Sequence, residues 1–234
     1  MRLRIAVLTL FVLLPLKSLL AGSETTDRLR DAATVLREVM QTPDKAIPQE
    51  LFESAQCAVI VPGYKKGAFM FGGSYGKGFM VCRDTKGTGW SAPGAVRLEG
   101  GSFGLQFGFN DTDVVMLVMN KSGEDHLLSS QFTLGADASV AAGPVGRMAK
   151  ADTDATMHAE VLSWSRSHGV FAGVSLDGST LRQDLDDNHA LYGQKVTNRE
   201  IIEKGMPAPA AAKELLEALQ RYAGRRATDD GQKR

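Results

Sequence analysis

Histidine and cysteine are scarce in this sequence, and nucleotide-binding motifs are missing from it. Its 234 residues include two cysteines and four histidines, which are His126, His158, His168 and His189. None of the histidines stands in an HExxH motif or at helical spacing from a second ligand, which disfavours a zinc site. The sequence also has no Walker loop and no strand-linked GxGxxG motif. It therefore predicts no metal, no cofactor and no bound nucleotide.

Neither sign of charge is in excess. Lysine plus arginine and aspartate plus glutamate number 27 each. Three of the basic residues lie in the N-terminal leader, which leaves 24 basic and 27 acidic residues from Gly22 onward. This balance argues against a nucleic-acid-binding protein. Contact with an anionic lipid would need a local basic patch rather than a field from the whole surface.

The N-terminus has the pattern of a secretion signal over residues 1–21. Two arginines precede an apolar run at 5–16, and small residues follow it. The run is shorter than the roughly 20 residues that span a bilayer. The stretch LAGS at 20–23 resembles a bacterial lipobox, with Ser23 in place of the cysteine that carries the lipid. We expect export and release into the periplasm or beyond, with peripheral membrane association left open.

The two cysteines, Cys57 and Cys82, both lie in apolar, strand-like runs. In an oxidising compartment they can form a disulfide. The alternative is a pair of buried free thiols, since buried cysteine behaves as a small hydrophobe. The sequence leaves this choice open, because it does not show whether the two Cα atoms come within about 7 Å of each other.

Short apolar segments broken by glycine indicate a curved sheet. Residues 64–83 and 170–176 are typical of strands, and 114–119 is typical of a strand buried on both faces. Asp177-Gly178 adds a hairpin signal. Glycine weakens a strand unless the backbone must approach closely or the sheet must bend. We predict an α+β domain over residues 24–205, with a curved, mainly antiparallel, glycine-rich sheet or small barrel and helices packed from both chain ends.

Helices are predicted at both ends. Apolar residues recur at helical spacing over 29–40, and the polar face mixes both signs of charge, so we expect packing on the sheet, with membrane contact as the alternative. The acidic run 184–187 resembles a calcium-loop fragment without its glycine and distal glutamate, and one of its side chains is expected to cap a short helix. Thr197 and Glu200 form a capping box. A last helix is expected over 206–224 and a disordered tail over 225–234.

Two copies of one motif, GGSYG at 72–76 and GGSFG at 100–104, are spaced 28 residues apart. Both fit the G-x-S-x-G pattern of serine hydrolases, whose serine lies at a strand–turn–helix corner. The segment after the first copy, 77–81, is strand-like rather than helical, and a hydrolase needs one nucleophile rather than two. We therefore favour a structural role, and a hydrolase that uses Ser74 is the remote alternative.

Several separated motifs resemble the SYLF domain family. They are SVAAGPVGR at 139–147, WSRSHGVFAGVSLDGS at 164–179, LYG at 191–193 and WSAP at 90–93. The resemblance covers roughly Leu29 to Gly193. The SYLF family includes lipid-binding, actin-patch-associated proteins of eukaryotes and many secreted bacterial proteins. The resemblance implies a module that binds phospholipid or phosphoinositide rather than an enzyme.

The candidate lipid-binding residues are Tyr64, Lys65, Lys66 and Lys77, which form a local basic and aromatic cluster in the sequence. Each lysine near an anionic membrane contributes about 1 kcal/mol. The alternative is a solvated hairpin tip. The expected partner is an anionic phospholipid or a membrane surface, with an envelope protein as the alternative and no nucleic acid. Export argues against actin, although eukaryotic relatives bind it.

Overall fold

The computed structural model describes residues 16–42, 46–69, 71–84, 89–102, 110–145, 158–167, 170–174 and 176–223. Its helices are α1 (Leu16–Gln41), α2 (Gln49–Ser54), α3 (Lys121–Leu127), α4 (Leu185–Tyr192), α5 (Asn198–Glu203) and α6 (Lys213–Ala223). Its strands are β1 (Cys57–Phe69), β2 (Phe71–Cys82), β3 (Gly94–Ser102), β4 (Asn110–Val118), β5 (Gln131–Thr133), β6 (Val140–Ala142), β7 (Val161–Ser167), β8 (Val170–Gly173) and β9 (Thr180–Gln183). Residues 1–15 of the predicted signal, the predicted tail and His168 lie outside the described residues.

The strands form one sheet in the order β5-β9-β3-β2-β1-β4-β7-β6, and β8 also pairs with β7. The β6–β7 pairing is parallel, and the other pairings are antiparallel. β5 and β6 lie at opposite ends of this order, yet only residues 134–139 join them, and six residues span at most about 20 Å. The sheet must therefore curl so that its two ends approach. The predicted fold, a curved and mainly antiparallel sheet with helices from both chain ends, is confirmed.

Alternate residues of the central strands face two different cores. Ala58 and Ile60 of β1 lie in a core that α1, α2 and α6 cover. Val59 and Val61 face a second core, to which strands near both ends of the sheet contribute. β4 likewise places buried residues in both cores, as the continuous apolar run at 114–119 predicts.

Helix α1 packs on the sheet through its apolar face. Leu29, Ala32 and Leu36 are fully buried in the core that α1 shares with α6. The structure therefore shows α1 packed on the sheet, as we expected from its sequence. The helix begins at Leu16, within the predicted signal, and continues past Ser23. Among the described residues, no helix combines the length and hydropathy that a membrane crossing needs.

Capping side chains begin two of the C-terminal helices, as the sequence predicts. Asp184 accepts hydrogen bonds from the backbone N–H groups of Asp186 and Asp187 and so caps α4. Thr197 and Glu200 form the predicted capping box of α5. The predicted hairpin at Asp177-Gly178 is wrong: a turn lies there, but β8 pairs with β7, whereas β9 pairs with β3 and β5. The curl of the sheet gives these consecutive strands different neighbours.

The motifs at 139–147 and 164–179 contact each other. A Cβ atom on Gly143 would lie 2.0 Å from the indole ring of Trp164, so the ring needs glycine at that position. Trp164 Nε1 donates a hydrogen bond to the carbonyl oxygen of Pro144 over 3.0 Å. These two motifs therefore hold the end of the sheet together.

The motifs at 90–93 and 191–193 form a second contact. The Tyr192 hydroxyl donates a hydrogen bond to the carbonyl oxygen of Pro93 over 2.6 Å, and burial raises the pKa of Tyr192. Asn188 and Asn198, both buried, hydrogen-bond to each other and to the backbone of Ala95. The Tyr192–Pro93 contact and the two asparagines therefore hold α4 against β3 and the segment before it.

A disulfide joins Cys57 and Cys82, which are direct partners on β1 and β2. Their Cα atoms lie 3.9 Å apart, so the choice that the sequence left open is resolved in favour of the bridge. A carboxylate oxygen of Glu124 lies within 4.8 Å of both sulfur atoms. The disulfide occupies both sulfurs, and thiolate is the form of cysteine that binds metal. This group therefore carries no argument for a metal site.

Candidate ligand-binding surface

Ser74 lies within β2, with strand on both sides of it, rather than at a corner before a helix. Its hydroxyl accepts a hydrogen bond from the Tyr64 hydroxyl and donates one to the carbonyl oxygen of Gly100. In the described part of the chain, neither a histidine nor a carboxylate hydrogen-bonds to this serine. The geometry lacks the nucleophile–base contact that a serine hydrolase requires.

The two glycine-rich motifs lie side by side on β2 and β3. They run antiparallel, so Gly73 pairs with Gly101 and Ser74 pairs with Gly100. A Cβ atom on Gly76 would lie 2.9 Å from the Tyr64 ring, and one on Gly100 would lie 3.2 Å from the Tyr64 hydroxyl. The glycines therefore leave room for this tyrosine to lie across two strands.

The four candidate lipid-binding residues do not form one exposed cluster. Tyr64 is 1% exposed and faces the second core, whereas Lys65 is exposed. Lys77 is partly buried among carboxylates. Lys66 lies on β1 opposite Ser74, and its side chain is outside the described part. Their role in lipid binding stays a prediction.

Lys77 belongs to a polar cluster that ties α1, β2 and α4 together. Its Nζ lies 2.9 Å from Asp184 Oδ2 and 3.1 Å from Asp187 Oδ1. Asp187 also pairs with Arg28 of α1 over 2.5 Å. Burial by itself lowers the pKa of Lys77, but the two carboxylates more than offset it and raise that pKa above its usual value. The cluster therefore holds Lys77 in its charged form.

Three cations lie directly opposite one another on adjacent strands. Lys77 of β2 pairs with Arg97 of β3, and Arg97 pairs with Arg182 of β9. We call these three residues the outer cationic row. They share the sheet face of Phe79, which packs in the helix-covered core, because side chains alternate along a strand and paired residues point to the same face. One rung further along the strands, Lys65 pairs with Tyr75.

A cleft of about 340 Å³ opens at the end of the outer cationic row. Both arginines of the row line it, together with Ser130, Gln131 and the start of α4. The sequence analysis missed these arginines, because they are 85 residues apart in the chain. Only the register of β3 with β9 brings them together.

A second cleft, of about 470 Å³, lies between Trp90 and α6. Its lining is mostly apolar and includes Pro209 and Leu216. Trp90 packs edge-on against Phe52, with the Arg83 guanidinium 4.0 Å from the centre of its ring. Within the described residues, the buried indole Nε1 of Trp90 has no hydrogen-bond partner.

The described surface thus offers clefts and a charged row, which suit the binding of a ligand or partner, and Ser74 makes hydrogen bonds within the sheet. Residues 99–222 match the family model described as "Ysc84: Las17-binding protein actin regulator". The chain therefore belongs to the Ysc84 family, which is the SYLF family, and the resemblance seen in the sequence is confirmed.

Curated relatives extend the match toward the N-terminus. The chain is 38% identical over 178 residues to the SH3 domain-containing protein PJ696.02 of Schizosaccharomyces pombe, covering 75% of this chain and 41% of that protein. It is 35% identical over 202 residues to protein YSC84 of Saccharomyces cerevisiae (82% and 42%). It is 32% identical over 206 residues to the human SH3 domain-containing YSC84-like protein 1 (86% and 60%). The chain thus spans about two-fifths to three-fifths of these relatives.

The comparisons correct the expectation that actin binding is unlikely. The family description names an actin regulator. A yeast relative, 35% identical over 182 residues, is named LAS seventeen-binding protein 3. These names describe relatives that are binding and regulatory proteins. The expectation against them was wrong because it relied on predicted export alone.

Proposed function

We propose that this protein is a non-catalytic phospholipid-binding module that acts at a membrane surface. The observation that supports this most directly is the pairing of exposed Tyr75 with exposed Lys65, beside the outer cationic row. Tyr75 is 45% exposed on a sheet face that the helices cover elsewhere. An exposed aromatic side chain next to cations suits the headgroup region of an anionic membrane.

The proposed binding is electrostatic and superficial. Each cation close to an anionic surface contributes about 1 kcal/mol, and the attraction fades within a Debye length of about 8 Å at physiological salt. Several carboxylates lie among these cations, so the net attraction is modest. The protein should therefore bind reversibly and release at high salt.

Export remains part of the proposal. The disulfide between Cys57 and Cys82 supports it, because structural disulfides persist in oxidising compartments. The leader pattern at 1–21 supports it from the sequence. The contacts of Ser74 support a protein without hydrolase activity.

Vesicle flotation tests the membrane proposal. We expect the purified protein to float with vesicles that contain 30% phosphatidylglycerol and to remain unbound with pure phosphatidylcholine. A Lys65→Glu, Tyr75→Ser double variant should lose most of this binding. Lys213→Glu, the same charge reversal at an exposed site on α6, is the matched control and should float like the wild type. Absence of wild-type flotation with either vesicle would remove the lipid proposal.

A second candidate function is binding to actin itself. The family description favours it, and the cleft between Trp90 and α6 offers an apolar surface for a partner segment. Co-sedimentation with filamentous actin tests this proposal. A Leu216→Glu variant should reduce any co-sedimentation, because Leu216 lines the cleft. Co-sedimentation that is unchanged in this variant would exclude the cleft as the binding surface.

A further inference from the structure

We propose that the cleft at the end of the outer cationic row binds a phosphate group through Arg97 and Arg182. This inference deepens the proposed function, because a phospholipid headgroup would supply that phosphate at a membrane. The same chemistry admits a soluble phosphate ester. The starting point is the charge around this cleft, because three cations lie on one rung of the sheet.

Directly opposed like charges destabilise a sheet unless a counter-charge lies between them. Here Lys77 opposes Arg97, and Arg97 opposes Arg182. The nearest carboxylate, that of Asp184, is already engaged: one oxygen caps α4, and the other lies 2.9 Å from Lys77 Nζ. Arg97 Nε lies 3.7 Å from that second oxygen. The carboxylate therefore compensates Lys77 first and Arg97 weakly.

The two arginines keep unused hydrogen-bonding capacity. In the described part of the chain, the buried Nε of Arg97 has no hydrogen-bond partner. Arg182 has an ion pair with Glu99, at 3.5 Å between Nη1 and Oε2, which is long for a charge-assisted hydrogen bond. A guanidinium group has five N–H donors in a planar fork that matches phosphate geometry. An anion between Arg97 and Arg182 would accept N–H hydrogen bonds from both guanidinium groups.

The cleft has the size and the neutral donors for such an anion. Its volume of about 340 Å³ accommodates a headgroup rather than a whole lipid. Ser130 and Gln131 line it and supply uncharged side-chain donors. Asp186 also lines it, and its exposed carboxylate repels an anion. This repulsion gives the test a variant that should bind more tightly.

Titration with inorganic phosphate and with glycerol 3-phosphate, followed by ³¹P NMR, tests the site. Arg97→Gln and Arg182→Gln should each weaken binding at least about tenfold, the loss expected for one charge-assisted contact. Asp186→Asn should strengthen binding severalfold, because it removes the carboxylate that repels the anion. It should leave the cap of α4 intact, because that cap uses only the backbone N–H of Asp186. Arg221→Gln, an exposed site on α6, is the matched control. Thermal unfolding of each variant verifies that it folds.

Vesicle flotation of the same variants separates the two sources of phosphate. Loss of both phosphate binding and flotation in Arg97→Gln supports a headgroup site. Loss of phosphate binding with unchanged flotation supports a site for a soluble phosphate ester. This inference is overturned, while the proposed function stands, under two conditions that occur together. The wild type floats and both Arg97→Gln and Arg182→Gln float equally well, and phosphate binding is either absent or unchanged in these variants. Phosphate binding that needs both arginines, without any flotation, supports the site and overturns the membrane proposal.

Discussion

The Tyr64 hydroxyl donates a hydrogen bond to Ser74 Oγ over 2.6 Å, and Ser74 donates in turn to the carbonyl oxygen of Gly100. This chain of contacts joins β1, β2 and β3. It also uses the hydroxyl proton that a nucleophilic serine would have to give to a base. The serine in the hydrolase-like motif therefore stabilises the sheet.

Replacing Ser74 by alanine should lower the free energy of unfolding without removing any serine-hydrolase activity. The loss of one hydrogen bond and the unpaired Tyr64 hydroxyl should cost about 1–2 kcal/mol. For a chain of this size, this corresponds to a melting temperature lower by roughly 2–8 °C. Thermal unfolding measures this effect. A fluorophosphonate probe should label neither form, and labelling of the wild type that vanishes in Ser74→Ala would contradict the structural role.

Replacing Gly78 by alanine should destabilise the protein severely. A Cβ atom at this position would lie 2.1 Å from the carbonyl oxygen of Ile60 and 2.7 Å from Val61 Cα, and both are backbone atoms. Such a clash forces the strands apart and should cost about 3 kcal/mol or more. Gly73→Ala is the matched control on the same strand, because its Cβ would meet nothing within 4 Å. Urea unfolding that gives equal stability for the two variants would contradict this account of the glycines.

Reduction of the Cys57–Cys82 disulfide should lower stability. The bridge closes a loop with a sequence separation of 25, and the chain-entropy estimate for such a loop is roughly 3 kcal/mol. The Cys57→Ala, Cys82→Ala variant should melt at the temperature of the reduced wild type. Protein isolated without reductant should resist alkylation when it is unfolded. Complete alkylation of both cysteines under those conditions would show that the bridge does not form.

Replacing Lys77 by methionine should change how stability depends on pH. Burial by itself raises the pKa of the Asp184 carboxyl, but Lys77, the backbone N–H of Asp187 and Arg97 more than offset it and hold that pKa below its usual value. A carboxyl with a lowered folded-state pKa contributes stability that is fully present above its unfolded pKa of about 3.9. This contribution is lost as the pH falls through the lower folded value.

Lys77→Met should therefore be less stable than the wild type by about 2 kcal/mol at neutral pH. This loss is smaller than that for a fully buried ion pair, because Lys77 is partly exposed. The difference should shrink below about pH 4, where Asp184 takes up a proton in the unfolded and then in the folded protein. Urea unfolding at several pH values measures it. Lys213→Met on α6 should show no such dependence. A difference that is the same at pH 2.5 and pH 7 would assign the effect to packing instead of charge.

Local sequence patterns predicted the parts of the fold that depend on near neighbours. The apolar periodicity of 29–40 predicted α1, and the capping box at Thr197 and Glu200 predicted the start of α5. The glycine-rich segments predicted a curved sheet, although they did not reveal that the glycines accommodate Tyr64. The hairpin at Asp177-Gly178 failed because turn chemistry specifies a change of direction and does not specify which strands then pair.

By itself, the sequence determined the fold class, the helix caps and membership of the family, because these depend on residues that are close in the chain or on whole motifs. Only the tertiary structure decided that Cys57 meets Cys82, that Tyr64 turns inward, and that Arg97 lies opposite Arg182. These contacts depend on strand register, and register is set by how the whole sheet packs against its two cores. The candidate phosphate cleft is therefore a property of the folded sheet.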